Sequence, residues 1–214
     1  MTEPNLAPGL LLRGFTPPLP LRDFKLVAFD MDSTLINIEC VDEIADYKHS
    51  LRRRLALLRG TPMSALETVY SHHLQFNPGV EIFVRACQAA GLKTLLVSGG
   101  FTFFSDRVRA RLHLDFARAN VLEVVGGTLT GLLLERPWGE IVDGAEKKRV
   151  LLEVCELMGI AATQAIAVGD GANDLPMMAA AGLSIAYHPK PAVREKAMIS
   201  ITEGGMDLAL TVLC

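Results

Sequence analysis

Asp30 and Asp32 stand one residue apart, directly after the short apolar, β-compatible run from Lys25 to Phe29. A buried parallel strand reads like that run, and acids at its carboxyl end sit where open α/β sheets hold their ligands. Taken alone, Asp-x-Asp is more often an acidic turn. Two later apolar runs end in the same manner. Lys93 to Val97 leads into Ser98-Gly99-Gly100, and Ala165 to Val168 leads into Gly169-Asp170-Gly171-Ala172-Asn173-Asp174. Lys147 lies between them, near the start of a predicted helix. On one rim these residues would gather several carboxylates, one hydroxyl, one ammonium and backbone amides laid open by glycine. Close carboxylates repel and take up protons unless a cation pairs them. Magnesium is a hard cation that takes oxygen ligands in octahedral geometry and keeps several waters. A metal, a lysine and free amides together can hold phosphate. Separately, each piece has an ordinary reading as a turn or a surface lysine.

Such a rim needs a parallel sheet to build it. From Asn77 onward apolar runs alternate with helical periodicity. Helices are expected from Pro78, as first residue, to about Ala90, and over Phe101–Leu112, Ala145–Met158, Leu175–Ala181 and Met206–Leu213. Strands are expected over Lys93–Val97, Ala165–Val168 and Leu183–Ala186, with an edge strand at Ser200-Ile201. Ser98-Gly99-Gly100 reads as a turn, and Gly126-Gly127 as the tip of a hairpin within Ala119–Glu135. This spacing predicts an α/β fold, a parallel sheet with helices on both faces, whose right-handed crossovers bring the strand ends to one rim. Residues 1–24, with five prolines, read as an extended lead-in; 25–32 and 77–214 as the core; 33–76 as a small helical cap insertion. Within the insertion Leu51–Leu58 and Met63–Leu74 read as helices, Arg52-Arg53-Arg54 as a solvated face, and His72-His73 as surface residues.

Composition narrows the function. With 214 residues, 50% of them hydrophobic, the chain can bury a substantial core, and its net charge of -3 leaves no footprint for nucleic acid or an anionic membrane. No apolar run reaches spanning length, and the Met-Thr-Glu-Pro start lacks the pattern of a signal peptide. Cys40, Cys87, Cys155 and Cys214 are scattered, which favours reduced thiols in a cytoplasmic protein over a zinc site or disulfide framework. A monomer or a homodimer is compatible with all of this.

The string Asp30-Met31-Asp32-Ser33-Thr34-Leu35 resembles the first motif of the haloacid dehalogenase-like phosphatases, and within them the phosphoserine phosphatases. Leu95 to Thr102 and Val168 to Leu175 resemble the same branch, so the likeness runs from Lys25 to Cys214. It implies the HAD-like core and magnesium-dependent hydrolysis of a small phosphate ester, O-phosphoserine, in serine biosynthesis. The implied route passes through an aspartyl-phosphate on Asp30, a known type of covalent intermediate. Asp32 would protonate the leaving alkoxide and then activate water. Asp30, Asp170 and the Asp32 backbone carbonyl would bind magnesium. Ser98, the Gly99 amide and Asn173 would hold the phosphoryl oxygens, and Lys147 would neutralise charge beside the nucleophile. Asp174 would position metal or lysine, and Glu39 would meet the substrate ammonium. The family places its lysine a short distance after an acidic-small stretch, here Asp143-Gly144-Ala145, which selects Lys147 over Lys148.

The insertion departs from the pattern. The family's four-helix cap carries a Met-Arg-Gly-Glu-like stretch whose arginine grips the substrate carboxylate, and that stretch is absent. Asp42-Glu43-Ile44-Ala45 passes straight to Asp46-Tyr47-Lys48, which resembles a point deep in the cap. Either the chain has lost cap helices or residues present in the molecule are missing from this sequence. If the cap is truly short, an enzyme reading only one end of its substrate discriminates less, and weakened selectivity for phosphoserine is expected. A phosphatase or phosphotransferase for another small ester, or a phosphate-binding domain with impaired turnover, are the alternatives.

Overall fold

The computed structural model describes residues 7–40, 55–134 and 141–214. Its elements begin with β1 (Leu10–Leu12), β2 (Leu26–Phe29), α1 (Met63–His72), α2 (Val80–Ala89), β3 (Lys93–Phe101) and α3 (Thr102–Leu112). They continue with β4 (Phe116–Asn120), β5 (Leu122–Val125), β6 (Thr128–Leu133) and α4 (Gly144–Leu157). The remainder is β7 (Ala165–Gly169), α5 (Leu175–Ala180), β8 (Leu183–Tyr187), α6 (Pro191–Arg194) and β9 (Ile199–Ile201), then a 3-10 helix over Met206–Thr211.

All four residues of β2 are buried, and the two-residue period divides them between two cores. Val27 and Phe29 belong to one core with Val80 and Phe83 of α2 and Phe104 of α3. There the Phe29 and Phe83 rings meet edge-on, their centroids 6.1 Å apart. Leu26 and Ala28 belong to the other, with Val150, Leu151 and Val154 of α4 and Met177 of α5. A strand covered on both sides must be apolar throughout, which is why β2 shows no alternation. The seven strands lie in the order β1-β9-β8-β7-β2-β3-β4. Every neighbouring pair is parallel except β1 with β9. The expected parallel sheet with helices on both faces is therefore present, with β2 inside it between β7 and β3.

Several boundaries differ from the sequence reading. The lead-in is not merely extended: Leu10 to Leu12 pair with β9, so Ser200-Ile201 is an inner strand and not the edge. β4 is a further strand, which Phe-Ala-Arg-Ala-Asn does not advertise because an edge strand needs no continuous apolar run. Ser98-Gly99-Gly100 is not a turn. It prolongs β3 to Phe101 with a register shift against β4 between Val97 and Phe101, a bulge of the kind that re-aims side chains near sites. Pro78 precedes α2 instead of opening it, because Gly79 takes the cap in a left-handed conformation, φ 77°. The closing helix is 3-10. The Leu51–Leu58 helix is described only at 55–57, which are helical. Arg52-Arg53-Arg54 and the passage from Ala45 to Asp46 lie outside the described residues. His72 and His73 are exposed.

The insertion is closed at its stem. Asn77 Nδ2 donates to Thr34 O at 2.9 Å and to Ile36 O at 3.0 Å, joining its two ends. Hairpin β5–β6 leans on it through Met63 N–H to Gly127 O and Gly60 N–H to Leu129 O.

At the other end of the sheet, Asp115 clasps β3 to the start of β4. Its carboxylate accepts from Lys93 Nζ at 2.6 Å and from the Thr94 amide and hydroxyl, both at 2.9 Å. Partial burial opposes the charge, but these donors outweigh it and hold the carboxyl below its ordinary 3.8. A depressed folded pKa stabilises fully above the unfolded value and fades as pH falls through the folded one. Asp115→Ala should therefore cost about 1–3 kcal/mol at neutral pH, read from urea midpoints, and the gap to the parent should narrow below pH 3.8. A gap constant with pH would contradict the clasp.

Candidate active site

The β2 strand delivers Asp30 to the rim. The Asp30 amide still donates to Val168 O at 2.9 Å, so the residue is the last rung between β2 and β7, and it is 5% exposed. Asp170 follows the end of β7 and is 7% exposed. The loop from Gly169 to Asp174 turns tightly because the Asp174 carboxyl folds back over it. Asp174 Oδ2 accepts from the amides of Asp170 at 3.2 Å and Gly171 at 3.0 Å. A Cβ on Gly169 would lie 2.5 Å from Asp174 Cγ, so only glycine fits there.

Lys147 enters from the opposite layer. Asp143 caps α4 by accepting the Glu146 amide at 2.9 Å. One residue further, Lys147 begins the stripe that continues through Val150, Leu151 and Val154, the helix's buried face. That periodicity, legible in the sequence, separates Lys147 from Lys148, which is exposed. The Lys147 ammonium is 0% exposed and lies 2.6 Å from both Asp30 Oδ1 and Asp174 Oδ1.

Carboxylate oxygens of Asp30, Asp170 and Asp174 all lie within 4.8 Å of one another. Burial raises the Asp30 carboxyl well above its ordinary range; Lys147 opposes this, while the charges of Asp174 and Asp32 add to it. Burial and Asp174 push Asp170 up to about 6. Burial and Glu39 push Asp32 up to about 7. Lys147 moves the other way: burial works against its charge, but Asp30 and Asp174 outweigh that and raise it. One ammonium among four acids leaves excess negative charge. A hard divalent cation fits such an all-oxygen set. Asp174 already spends one oxygen on Lys147 and the other on two amides, so Asp30 and Asp170 are the side chains left to ligate.

The remaining candidates gather on the same rim. A Cβ on Gly100 would lie 3.1 Å from both Asp32 Oδ2 and Ser98 Oγ, which puts both groups beside that glycine. Asp32 Oδ1 accepts weakly from the Cys40 amide at 3.4 Å. Glu39 accepts from Ser33 Oγ at 2.9 Å, and its charge is felt by both Asp32 and Asp170. Asn173 is exposed, with its side-chain oxygen against Gly171. Two buried polar residues that the sequence reading does not single out join this frame. Thr34 donates to Asp170 Oδ1 at 3.1 Å; its place inside the first motif is a signal for it. Asn120, at the end of β4, donates to Gly99 O at 2.8 Å and has no such signal.

Removing Asp174 leaves the buried ammonium with Asp30 as its one remaining carboxylate and strands two amides. Asp174→Ala should lower unfolding free energy by about 3–5 kcal/mol in urea; a loss under about 1 kcal/mol would mean the bridge is not the anchor described.

The haloacid dehalogenase-like hydrolase family model matches residues 52–179. A phosphoserine phosphatase of Albidiferax ferrireducens is 57% identical over 227 residues, covering 96% of each chain. Another, of a Polaromonas species, is 54% identical over 235 residues, covering 100% of each. This chain has 214 residues, so about 21 of those 235 aligned positions (235 − 214) face no residue in it. A structure described as a phospho-aspartyl intermediate analogue of phosphoserine phosphatase superposes with a TM-score of 0.81 at 32% identity, covering 89% of this chain and 99% of that one.

Proposed function

The chain belongs to the haloacid dehalogenase-like hydrolases, and on that premise we propose that it hydrolyses O-phosphoserine to serine and inorganic phosphate with magnesium. The observation that carries this reading is the buried Asp30, lysine-paired at 2.6 Å and clustered with Asp170 and Asp174. Relatives more than half identical and named phosphoserine phosphatases support the substrate.

In this reading Asp30 attacks phosphorus and takes the phosphoryl group. The serine alkoxide leaves with a proton from Asp32, which then takes a proton from the water that attacks the aspartyl-phosphate. Asp30, Asp170 and the backbone carbonyl of Asp32 would hold magnesium, which supplies charge neutralisation at the phosphoryl oxygens. Ser98 Oγ and the Gly99 amide hydrogen-bond those oxygens, with Asn173 beside them. Lys147 favours the ionised form of Asp30 by pairing with it, against the pull of burial. Asp174 fixes Lys147, and Glu39 faces the substrate ammonium. The buried thiols Cys40, Cys87 and Cys155 fit a reducing cytoplasm, and no helix among the described residues is long and apolar enough to cross a membrane. The boundaries 1–24, 33–76 and the surrounding core stay part of this proposal, with the lead-in now contributing β1.

Phosphate release from O-phosphoserine should require Asp30. Asp30→Asn should lower turnover by at least about 10³-fold, and undiminished release would exclude it as nucleophile. Chelation should abolish activity and added magnesium restore it, with metal binding followed separately by calorimetry.

We infer that the shortfall of about 21 aligned positions (235 − 214) falls in the cap insertion, where the Met-Arg-Gly-Glu-like stretch is absent. With the carboxylate-reading stretch missing, a panel of small phosphate esters should show selectivity for phosphoserine reduced by about 10-fold or more against such a relative. A full preference would show that another group reads the carboxylate.

A further inference from the structure

Ser98 can serve a phosphoryl oxygen only if its hydroxyl hydrogen is free and aimed outward. Its oxygen accepts the Gly100 amide at 2.9 Å, which leaves the O–H as a donor. That amide is one end of the Gly99–Gly100 peptide. The other end, Gly99 O, accepts from Asn120 Nδ2 at 2.8 Å. A peptide is planar, so holding its carbonyl fixes where its N–H points. Asn120 is 6% exposed, and its Oδ1 accepts the Val142 amide at 2.9 Å. The carboxamide has one orientation here, because a carbonyl can only accept and an N–H can only donate. Val142 immediately precedes Asp143, the cap of the helix that carries Lys147. The segments lie close: a Cβ on Gly99 would sit 3.2 Å from Val142 O.

We propose that Asn120 is a positioning residue for phosphoryl recognition. It acts through the Gly99–Gly100 peptide to set the Ser98 hydroxyl, and holds that hydroxyl in register with the approach to Lys147. This rests on the phosphatase reading, in which Ser98 contacts phosphate. A structural role alone would make Asn120 only a satisfied buried amide closing the end of β4.

A double-mutant cycle separates the two. In the full chain with magnesium, Asn120→Ala should lower kcat/KM for O-phosphoserine by about 10–100-fold, the range for groups that orient a functional residue. In a Ser98→Ala background the same change should cost less than about 2-fold, because its target is gone. Losses that multiply would overturn the proposal. Asn120→Asp keeps an acceptor for Val142 but sets a carboxylate against Gly99 O. It should reproduce the loss even if the alanine variant folds poorly, and parental kcat/KM in it would refute the role. The same cycle is read by calorimetric binding of inorganic phosphate. If the parent releases no phosphate from phosphoserine, the activity reading fails, and the binding cycle still decides whether Asn120 works through Ser98.

Discussion

The Lys147 ammonium can be buried only because Asp30 and Asp174 meet it at 2.6 Å from two different parts of the sheet rim. An unpaired charge there would cost several kcal/mol, and a single partner would leave donors unmet. The bridge therefore constrains everything around it. β2 must end where Asp30 reaches inward. The loop after β7 must fold so that Asp174 faces back, and α4 must be capped at Asp143 so that its fourth residue points at both. The glycines of that loop follow from the same constraint, since Asp174 occupies the space a side chain would need.

Charge balance gives the bridge its chemical meaning. It keeps one oxygen of the nucleophile candidate beside a cation and still leaves the rim acidic, with Asp30, Asp32 and Asp170 all raised by burial and by their neighbours. A stable ion pair would have cancelled the charge outright. An acidic excess instead suits a hard divalent cation, with Asp30 and Asp170 the side chains left to ligate it.

Much of this was legible in the chain because buried parallel strands have no freedom to be polar. β2, β7 and β8 read directly as apolar runs, and the residues just past them as rim loops. The choice of Lys147 was legible twice, from the family spacing and from the stripe through Val150, Leu151 and Val154. What could not be read depends on partners distant in sequence. The strand Leu10–Leu12 exists because β9 offers it an edge. Phe116–Asn120 is extended only beside β3, and Ser98-Gly99-Gly100 stays in the sheet because a neighbouring amide holds the Gly99 carbonyl. Glycine pairs look like turns until something pins them.

The pairing of Leu10 with Ile201 also bears on how the molecule comes together during synthesis. Translation makes those two residues almost a whole chain apart, so the outermost rung must wait while nearly all of the interior condenses. Until then β9 presents bare backbone along one flank. That interval, more than any weakness of the finished molecule, is when an exposed ladder could recruit the wrong neighbour.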